Sequence, residues 1–284
     1  MRRELADEAV RLRARGIQPG LGVLLVGENP ASRSYVSAKE KACFETGLFS
    51  EEVLLPATAR RDEILAVVRN FNADARINGI LVQLPLPDSN MESEVLETVD
   101  PLKDVDGFHP LNVGRMMLGL PCFVPCTPHG ILHILKRSGI STRGAHAVVI
   151  GRSHIVGRPL ANLLSQKNEL GNATVTLCHT ASRDIARFTR EADIIVAAAG
   201  RPHTVTADMV RPGATVIDVG VNRVEDPRHA RGYRLIGDVD FEAVSEVAGA
   251  ITPVPGGVGP LTITMLLFNT IVAARRQAGL SDRD

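Results

Sequence analysis

Six short apolar runs, rich in Val and Ile, alternate with amphipathic stretches, and this alternation limits the chain to one class of architecture. The runs are LGVLLVG (21–27), GILVQL (79–84), AVVIG (147–151), ATVTLC (173–178), DIIVAAAG (193–200) and ATVIDVG (214–220). Runs this short and this β-branched suit strands covered on both faces. Between them, stretches such as DEILAVVRNFNAD (62–74) carry helical periodicity. Strands alternating with helices imply a parallel sheet built from right-handed βαβ units, an α/β protein. The 284 residues suffice for two domains. The Pro-rich stretch LPCFVPCTPHG (120–130) closes the first half, which carries two clear strands. The second half, from about residue 140, reads as a dinucleotide-binding sheet, and a final apolar helix over about 261–277 is expected to pack back on the first half.

Composition removes several classes of function. Lys and Arg (32) balance Asp and Glu (32), so no bulk charge favours nucleic acid or a membrane surface. The run LTITMLLFNTIVAA (261–274) is expected to be too short and too interrupted by Thr and Asn to span a bilayer. Cys43, Cys122, Cys126 and Cys178 form no C-x-x-C pair, which argues against a metal knuckle or a disulfide framework and for a reducing cytosol. The start, MRRELADEAVRLRARG, has no apolar h-region, so no signal peptide and a cytoplasmic location are expected.

Several segments have the residue types of a site. GRSHIVGRP (151–159) joins a strand to a helical pattern, the context in which a dinucleotide pyrophosphate rests on a helix N-terminus. Its glycines, Gly151 and Gly157, have the spacing G-x-S-x-x-x-G, so glycine spacing alone leaves a nucleotide site and a plain βα turn both open. The next strand ends in Cys178, His179 and Thr180, with no acid until Asp184 to hold a ribose hydroxyl. Arg152 beside the turn suits a 2′-phosphate, or else is a surface charge; together these features favour NADP. Asp104 and Asp106 precede Gly107 in KDVDGFHP (103–110), where carboxylates either cap the loop or accept bonds from an amino-pyrimidine. Gln83 is read as a polar residue embedded in an apolar strand ending at Pro85; a buried amide needs partners, and the carboxyl edge of a sheet is where ligands bind. TPVPGGVGP (252–260) is a shaped loop, either a linker or a binding loop. His129 and His133 in HGILH stand at i, i+4 but have no nearby carboxylate, so no metal is expected. Tyr35 and Lys39 have the spacing of the short-chain dehydrogenase pair, yet they precede the glycine turn by over a hundred residues, and that analogy fails.

Jointly, NPASRSYVSAKEKAC, ILVQLPLP, KDVDGFHPLNVGR, PCTPHGI, VVIGRSHIVGRP, IDVGVN, GDVDF and ITPVPGGVGPLT resemble the bifunctional methylenetetrahydrofolate dehydrogenase/methenyltetrahydrofolate cyclohydrolase family of the FolD type. The resemblance spans about residues 20 to 270. It implies a folate-binding catalytic domain, 1–127 with 258–284, beside a Rossmann NADP domain, 128–257, with substrate in the cleft between them. It further implies a homodimer and a place in one-carbon metabolism and purine biosynthesis. By the resemblance, Tyr35 stacks on the aminobenzoyl ring of a tetrahydrofolate, Lys39 is the key catalytic residue, Gln83 is its partner and Asp106 anchors the pterin. Gly107, Gly256, Gly257 and Pro260 fall on substrate-binding positions; Gly151, Arg152, Ser153, Gly157, His179, Thr180, Asp218 and Gly220 fall on cofactor positions.

Tyr35 and Lys39 then share one helix face, while Lys41 is turned away as a solvated charge. Against the family pattern the chain starts inside the first helix, without a short N-terminal strand, and SQKNELGNAT (165–174) is slightly long at the adenosine end. Three rival readings are a monofunctional NAD-linked methylenetetrahydrofolate dehydrogenase, an amino-acid or malate dehydrogenase, and a non-catalytic folate- or nucleotide-binding protein. The arginine in GRS, the otherwise unexplained KDVDG and PGGVGP, and the intact Tyr35, Lys39, Gln83 and Asp106 argue against each in turn.

Overall fold

The computed structural model describes residues 1–228 and 232–281, the side chains of residues 30, 31 and 34 excepted. In chain order the elements are α1 (Arg2–Ala14), β1 (Gly20–Val26), α2 (Pro30–Thr46), β2 (Phe49–Leu55), α3 (Arg61–Ala73), β3 (Gly79–Val82), α4 (Glu92–Thr98) and α5 (Pro110–Met117). There follow α6 (Cys126–Arg137), β4 (His146–Ile150), α7 (Gly157–Ser165), β5 (Thr174–Cys178), α8 (Ile185–Thr189), β6 (Ile194–Ala197) and β7 (Thr215–Asp218). The chain continues through β8 (Asn222–Glu225), β9 (Tyr233–Ile236), α9 (Phe241–Ser245), β10 (Ala250–Ile251) and α10 (Val258–Gln277). Two compact units result, Met1–Cys126 with Ile263–Asp284, and Thr127–Thr262, so the division falls inside α10 rather than at its start.

In the first unit a parallel sheet of order β2-β1-β3 has β1 at its centre, buried at every position. Strand β1 is sandwiched between helices: Leu21, Val23 and Leu25 join a core with α1, α2 and α10, and Leu24 and Val26 join one with α3 and α4. Each such side chain contributes about 1.5–3 kcal/mol when fully buried. Helix α10 lays Met265, Leu266, Leu267, Ile271 and Ala273 into the first of these cores, so the last helix does complete this unit. By length and composition α10 is apolar enough to cross a membrane, which corrects the expectation from its sequence; most of it is buried within the protein.

Strand β2, FSEEVLL, was not among the expected runs: it carries Glu51 and Glu52 and is only partly buried, as an edge strand can be. Strand β3 stops at Val82, so Gln83 is not within the strand but just past its carboxyl end, its N–H still reaching Leu24 O at 2.9 Å.

The second unit is a five-stranded, wholly parallel sheet of order β10-β7-β6-β4-β5. Chain order runs outward in opposite directions from β4, which makes its carboxyl end the crevice where such sheets bind ligands. The short β8–β9 hairpin lies outside that sheet.

Candidate active site

Lys39 is one of two lysines in the first unit that are only 8% exposed, with Lys103. Helix α2 buries the stripe Val36, Lys39, Ala42, Cys43 and Thr46, and Lys39 falls in it because a turn of helix separates it from Val36 and from Cys43. Lys41 lies off the stripe, exposed and paired with Glu45 at 3.8 Å. A buried ammonium needs a partner. Lys39 Nζ donates to Gln83 Oε1 at 2.8 Å, and Gln83 Nε2 donates to Leu84 O at 2.7 Å, which fixes the amide with its oxygen toward the lysine. The Leu84–Pro85 peptide that follows is cis.

The KDVDG segment delivers a carboxylate to the same place, and nearly every residue in it has a holding role. Ile80 N–H donates to Lys103 O at 2.7 Å, pinning the segment along β3. Gly79 makes room: a Cβ there would stand 2.5 Å from Val105 Cγ1. Lys103 Nζ donates to Phe71 O at 3.1 Å and Asp74 O at 2.8 Å, satisfying carbonyls at the end of α3. Asp104 is buried and accepts from Phe108 N–H, His109 N–H and Asn112 Nδ2 at 3.1, 2.9 and 2.8 Å, so it holds the loop. Burial still pushes its carboxyl up to about 6 against those donors. Gly107 has φ +72° and no space for a Cβ against Pro125 N at 2.8 Å. From α10, Asn269 Nδ2 donates to Val105 O at 2.8 Å and Val124 O at 3.1 Å.

Of the two acids, Asp106 is the one left facing Lys39. Burial lowers the Lys39 pKa, and the Asp106 charge pulls it back up; burial raises Asp106, and Lys39 opposes that. Cys126 is the third member, a residue the sequence reading gave no role. Its buried Sγ donates to Val105 O at 3.4 Å, and burial, then the charge of Asp106, raises its thiol pKa well above the ordinary value. The signal lay in the PCTP segment, but nothing local connects it to residues 39 and 106. Tyr35, one turn before Lys39, keeps 38% of its surface exposed, and partial burial raises its phenol pKa. A flat ring at the rim, an amine at depth and a carboxylate opposite can hold a planar substrate and move a proton at one of its atoms.

In the second unit the turn between β4 and α7 explains its own glycines. Gly151 has φ +119°, and a Cβ on it would overlap the carbonyl oxygen of Ala198; a Cβ on Gly157 would overlap that of Gly151. Both close approaches seat the nine-residue α7 against the strand end. Ser153 Oγ accepts from Val156 N–H at 3.1 Å and Gly157 N–H at 3.4 Å, capping the helix, and Arg152 is exposed beside it. At the end of neighbouring β5, His179 N–H donates to Ser182 Oγ at 2.9 Å and His179 Nδ1 accepts from Ala181 N–H at 3.2 Å, with Thr180 exposed. The cradle that a Cβ would fill, the exposed guanidinium and the absence of an acid from 179 to 183 fit an NADP phosphate better than an unphosphorylated ribose.

Asp218 departs from its expected cofactor role. It is 2% exposed, and its oxygens accept from Gly220, Asp238 and Val239 N–H at 2.9, 2.9 and 3.0 Å, so the carboxylate braces the loop instead of facing outward. In the loop before α10, Gly256 has φ +110°, Gly257 N–H donates to Pro253 O at 3.0 Å, and Pro260 is exposed in the first turn of the helix. The His129 and His133 rings lie in tilted contact, centroids 4.9 Å apart and 47° between planes, and burial holds the His129 pKa down at about 4. Among the described residues no group of three or more His, Cys, Asp or Glu is placed to hold a metal ion.

Known proteins share both units. Residues 1–106 match the family described as tetrahydrofolate dehydrogenase/cyclohydrolase, catalytic domain, and residues 125–278 match tetrahydrofolate dehydrogenase/cyclohydrolase, NAD(P)-binding domain. The chain is 55% identical to the bifunctional protein FolD of Syntrophus aciditrophicus, over 99% of this chain and 95% of that one. It is similar to the crystal structure of the bifunctional FolD dehydrogenase/cyclohydrolase of Campylobacter jejuni, with TM-score 0.91, 46% identity, and 97% and 95% of the two chains covered. The Trypanosoma brucei FolD structure, complexed with NADP cofactor and inhibitor, gives TM-score 0.92 and 39% identity over 98% and 94% of the chains.

Proposed function

The chain belongs to the tetrahydrofolate dehydrogenase/cyclohydrolase family, and on that premise we propose how its own residues divide the two reactions. It is a bifunctional enzyme that oxidises 5,10-methylenetetrahydrofolate with NADP⁺ and hydrolyses the methenyl product to 10-formyltetrahydrofolate. The buried Lys39–Gln83 pair beside Asp106 carries the proposed division.

When bound, NADP⁺ supplies the acceptor for a hydride from the one-carbon bridge. Arg152, Ser153 and the glycine turn at Gly151 and Gly157 hold its phosphates. The folate nitrogen lone pair drives hydride departure, so oxidation asks the protein chiefly for position. Tyr35 stacks on the aminobenzoyl ring, and Asp106 accepts from the pterin end. Hydrolysis needs a base: water adds to the methenyl carbon and gives its proton to the Lys39 amine. The ring carbon–nitrogen bond then opens: the departing nitrogen takes the proton held on the Lys39 ammonium, and the adduct's hydroxyl gives its proton to solvent as the formyl C=O forms, one proton being released overall. Gln83 aims the amine, and burial lowers its pKa, which favours the neutral form that acts as base.

The first assay mixes the protein with 5,10-methylenetetrahydrofolate and NADP⁺ or NAD⁺, reading reduced nicotinamide and the methenyl species separately. Reduction with NADP⁺, at least about tenfold faster than with NAD⁺, and no build-up of the methenyl species are expected, since losing a charge-assisted phosphate contact costs about that factor. Build-up would overturn the role given to Lys39, and equal rates with NAD⁺ the role given to Arg152.

The same reading includes a homodimer working in the cytoplasm, with its product feeding formyl transfer for purine synthesis. In support, β2 is an edge strand among the described residues, and Phe44 on adjacent α2 is 87% exposed. Four free thiols suit a reducing compartment. Light scattering after gel filtration is expected to give twice the chain mass of 30.5 kDa, and Phe44→Glu to give a monomer; a parent that elutes as a monomer counts against the dimer.

A further inference from the structure

The motifs IDVG and GDVD meet in the second unit as an interlocked pair that the proposed chemistry does not use. Asp238 is fully buried; its Oδ2 accepts from Ala199 N–H at 2.6 Å and Gly200 N–H at 2.8 Å, and its Oδ1 accepts from Asn222 Nδ2 at 2.9 Å. Asp218 in turn accepts from the backbone N–H of Asp238, at 2.9 Å. Each acid is matched by a glycine on the opposite motif. A Cβ on Gly220 would overlap the Asp238 carboxylate, and one on Gly237 would overlap that of Asp218. Two neighbouring buried acids repel each other and are costly to desolvate, so this arrangement persists only with all those donors in place. The two motifs, with Ala199, Gly200 and Asn222, thus build one carboxylate cage at the carboxyl ends of β6 and β7.

The segment that Asp238 grips leads straight back to the phosphate turn. Ala199 and Gly200 follow Ala198, whose N–H donates to Ile150 O at 2.8 Å and whose carbonyl oxygen occupies the space a Gly151 Cβ would need. Asp238 Oδ2, itself oriented by the bond from Asn222 to Oδ1, therefore sets where residues 198–200 lie, and residues 198–200 form the wall against which Gly151 turns. We infer that Asp238 is a positioning residue for the NADP site: it holds the loop after β6 so that the glycine turn keeps its opening. The inference rests on the reading of that turn as the phosphate site. It assigns Asp238 no contact with the cofactor; it acts through Ala199 and Gly200.

The test measures NADP⁺ affinity by calorimetry, together with KM for each substrate and cyclohydrolase turnover of methenyltetrahydrofolate without nucleotide. Asp238→Ala is expected to weaken NADP⁺ binding about tenfold or more, the loss expected for removing charge-assisted hydrogen bonds. KM for methylenetetrahydrofolate and the nucleotide-free cyclohydrolase rate are expected to stay within about twofold, since effects add where partners are not shared and Ala199, Gly200 and Asn222 are none of the residues assigned to folate binding or hydrolysis. Asp238→Asn, which keeps a carbonyl oxygen for Ala199 and Gly200, is expected to fall between parent and Ala variant. Asn222→Ala, which removes the donor to Oδ1 and a bond to Gly237 O but leaves the Asp238 carboxylate in place, serves if the Ala variant does not fold and is expected to shift affinity in the same direction. Val244→Ala, a cavity in the core of the same unit, is the control for lost stability alone. Loss of thermal stability with unchanged NADP⁺ affinity in the Asp238 variants, or an equal loss of affinity in Val244→Ala, overturns the inference and leaves the activity reading intact. A parent that binds no NADP⁺ overturns both.

Discussion

Lys39→Met is expected to lower cyclohydrolase turnover about 10³-fold, in the range removed with a general acid or base. Dehydrogenase turnover in the same variant is expected to stay within about tenfold, because that step depends on positioning rather than proton removal. The methenyl species then accumulates while NADP⁺ is still reduced, a result readable by absorbance in one cuvette. Full cyclohydrolase turnover in the variant would sink the assignment. The pH profile gives an independent reading. Burial lowers the Lys39 pKa from the ordinary 10.5, so the working neutral amine grows, and turnover rises, as pH climbs through the lowered value. Asp106 opposes that shift with its charge. Asp106→Asn therefore moves the rising limb to lower pH, whatever it does to substrate affinity. For stability the sign follows from proton counting. Between the lowered pKa and 10.5 the folded chain binds fewer protons than the unfolded one, so the Lys39 contribution to stability grows with rising pH across that window.

Gly151→Ala is expected to weaken NADP⁺ binding about 100-fold and to lower the melting temperature of the protein, a combined cost of about 3 kcal/mol from overpacking and backbone strain. Two faults coincide at this position: φ is +119°, where an L side chain is strained, and the new methyl would overlap the Ala198 carbonyl oxygen. The obstructing atom is backbone on a strand end, so it cannot swing aside as a side chain would. Either the turn opens or β4 and β6 part. Calorimetric titration with NADP⁺ and a thermal melt measure the two consequences, and parent-like values in both would show that the turn has slack the structure does not show.

The strands β1, β4, β5, β6 and β7 and the amphipathic α3 were readable to within a residue or a few, because each is specified by local patterning of its own side chains. The βα turn was readable too, since Gly151 has a φ that only glycine adopts without cost and Gly157 packs too close to Gly151 O for a side chain. The family resemblance singled out Lys39, and helical phase then set Lys41 aside: one position falls on the buried stripe of α2 and the other does not. Strand β2 was not legible, because an edge strand needs only one covered face and its Glu51 and Glu52 mask the apolar alternation.

Within the site, residue type and spacing nominated candidates but did not choose among them. Asp104 and Asp106 are two residues apart in the same motif, yet one is enclosed by Phe108, His109 and Asn112 and the other faces Lys39. Asp218 carried the signature of a cofactor ligand and is a brace; Cys126 carried none and lies beside the Lys39–Asp106 pair. These choices depend on contacts across the chain: Lys39 with Gln83, Lys103 with the end of α3, Asn269 with Val105. By itself the sequence determined the α/β architecture and the βα turn at Gly151 and Gly157, consequences of patterns within a single strand or turn. Only the tertiary structure showed that Asp104 is enclosed by its own loop while Asp106 interacts with Lys39, because a carboxylate's surroundings are the donors and charges that the packing of separate segments brings to it.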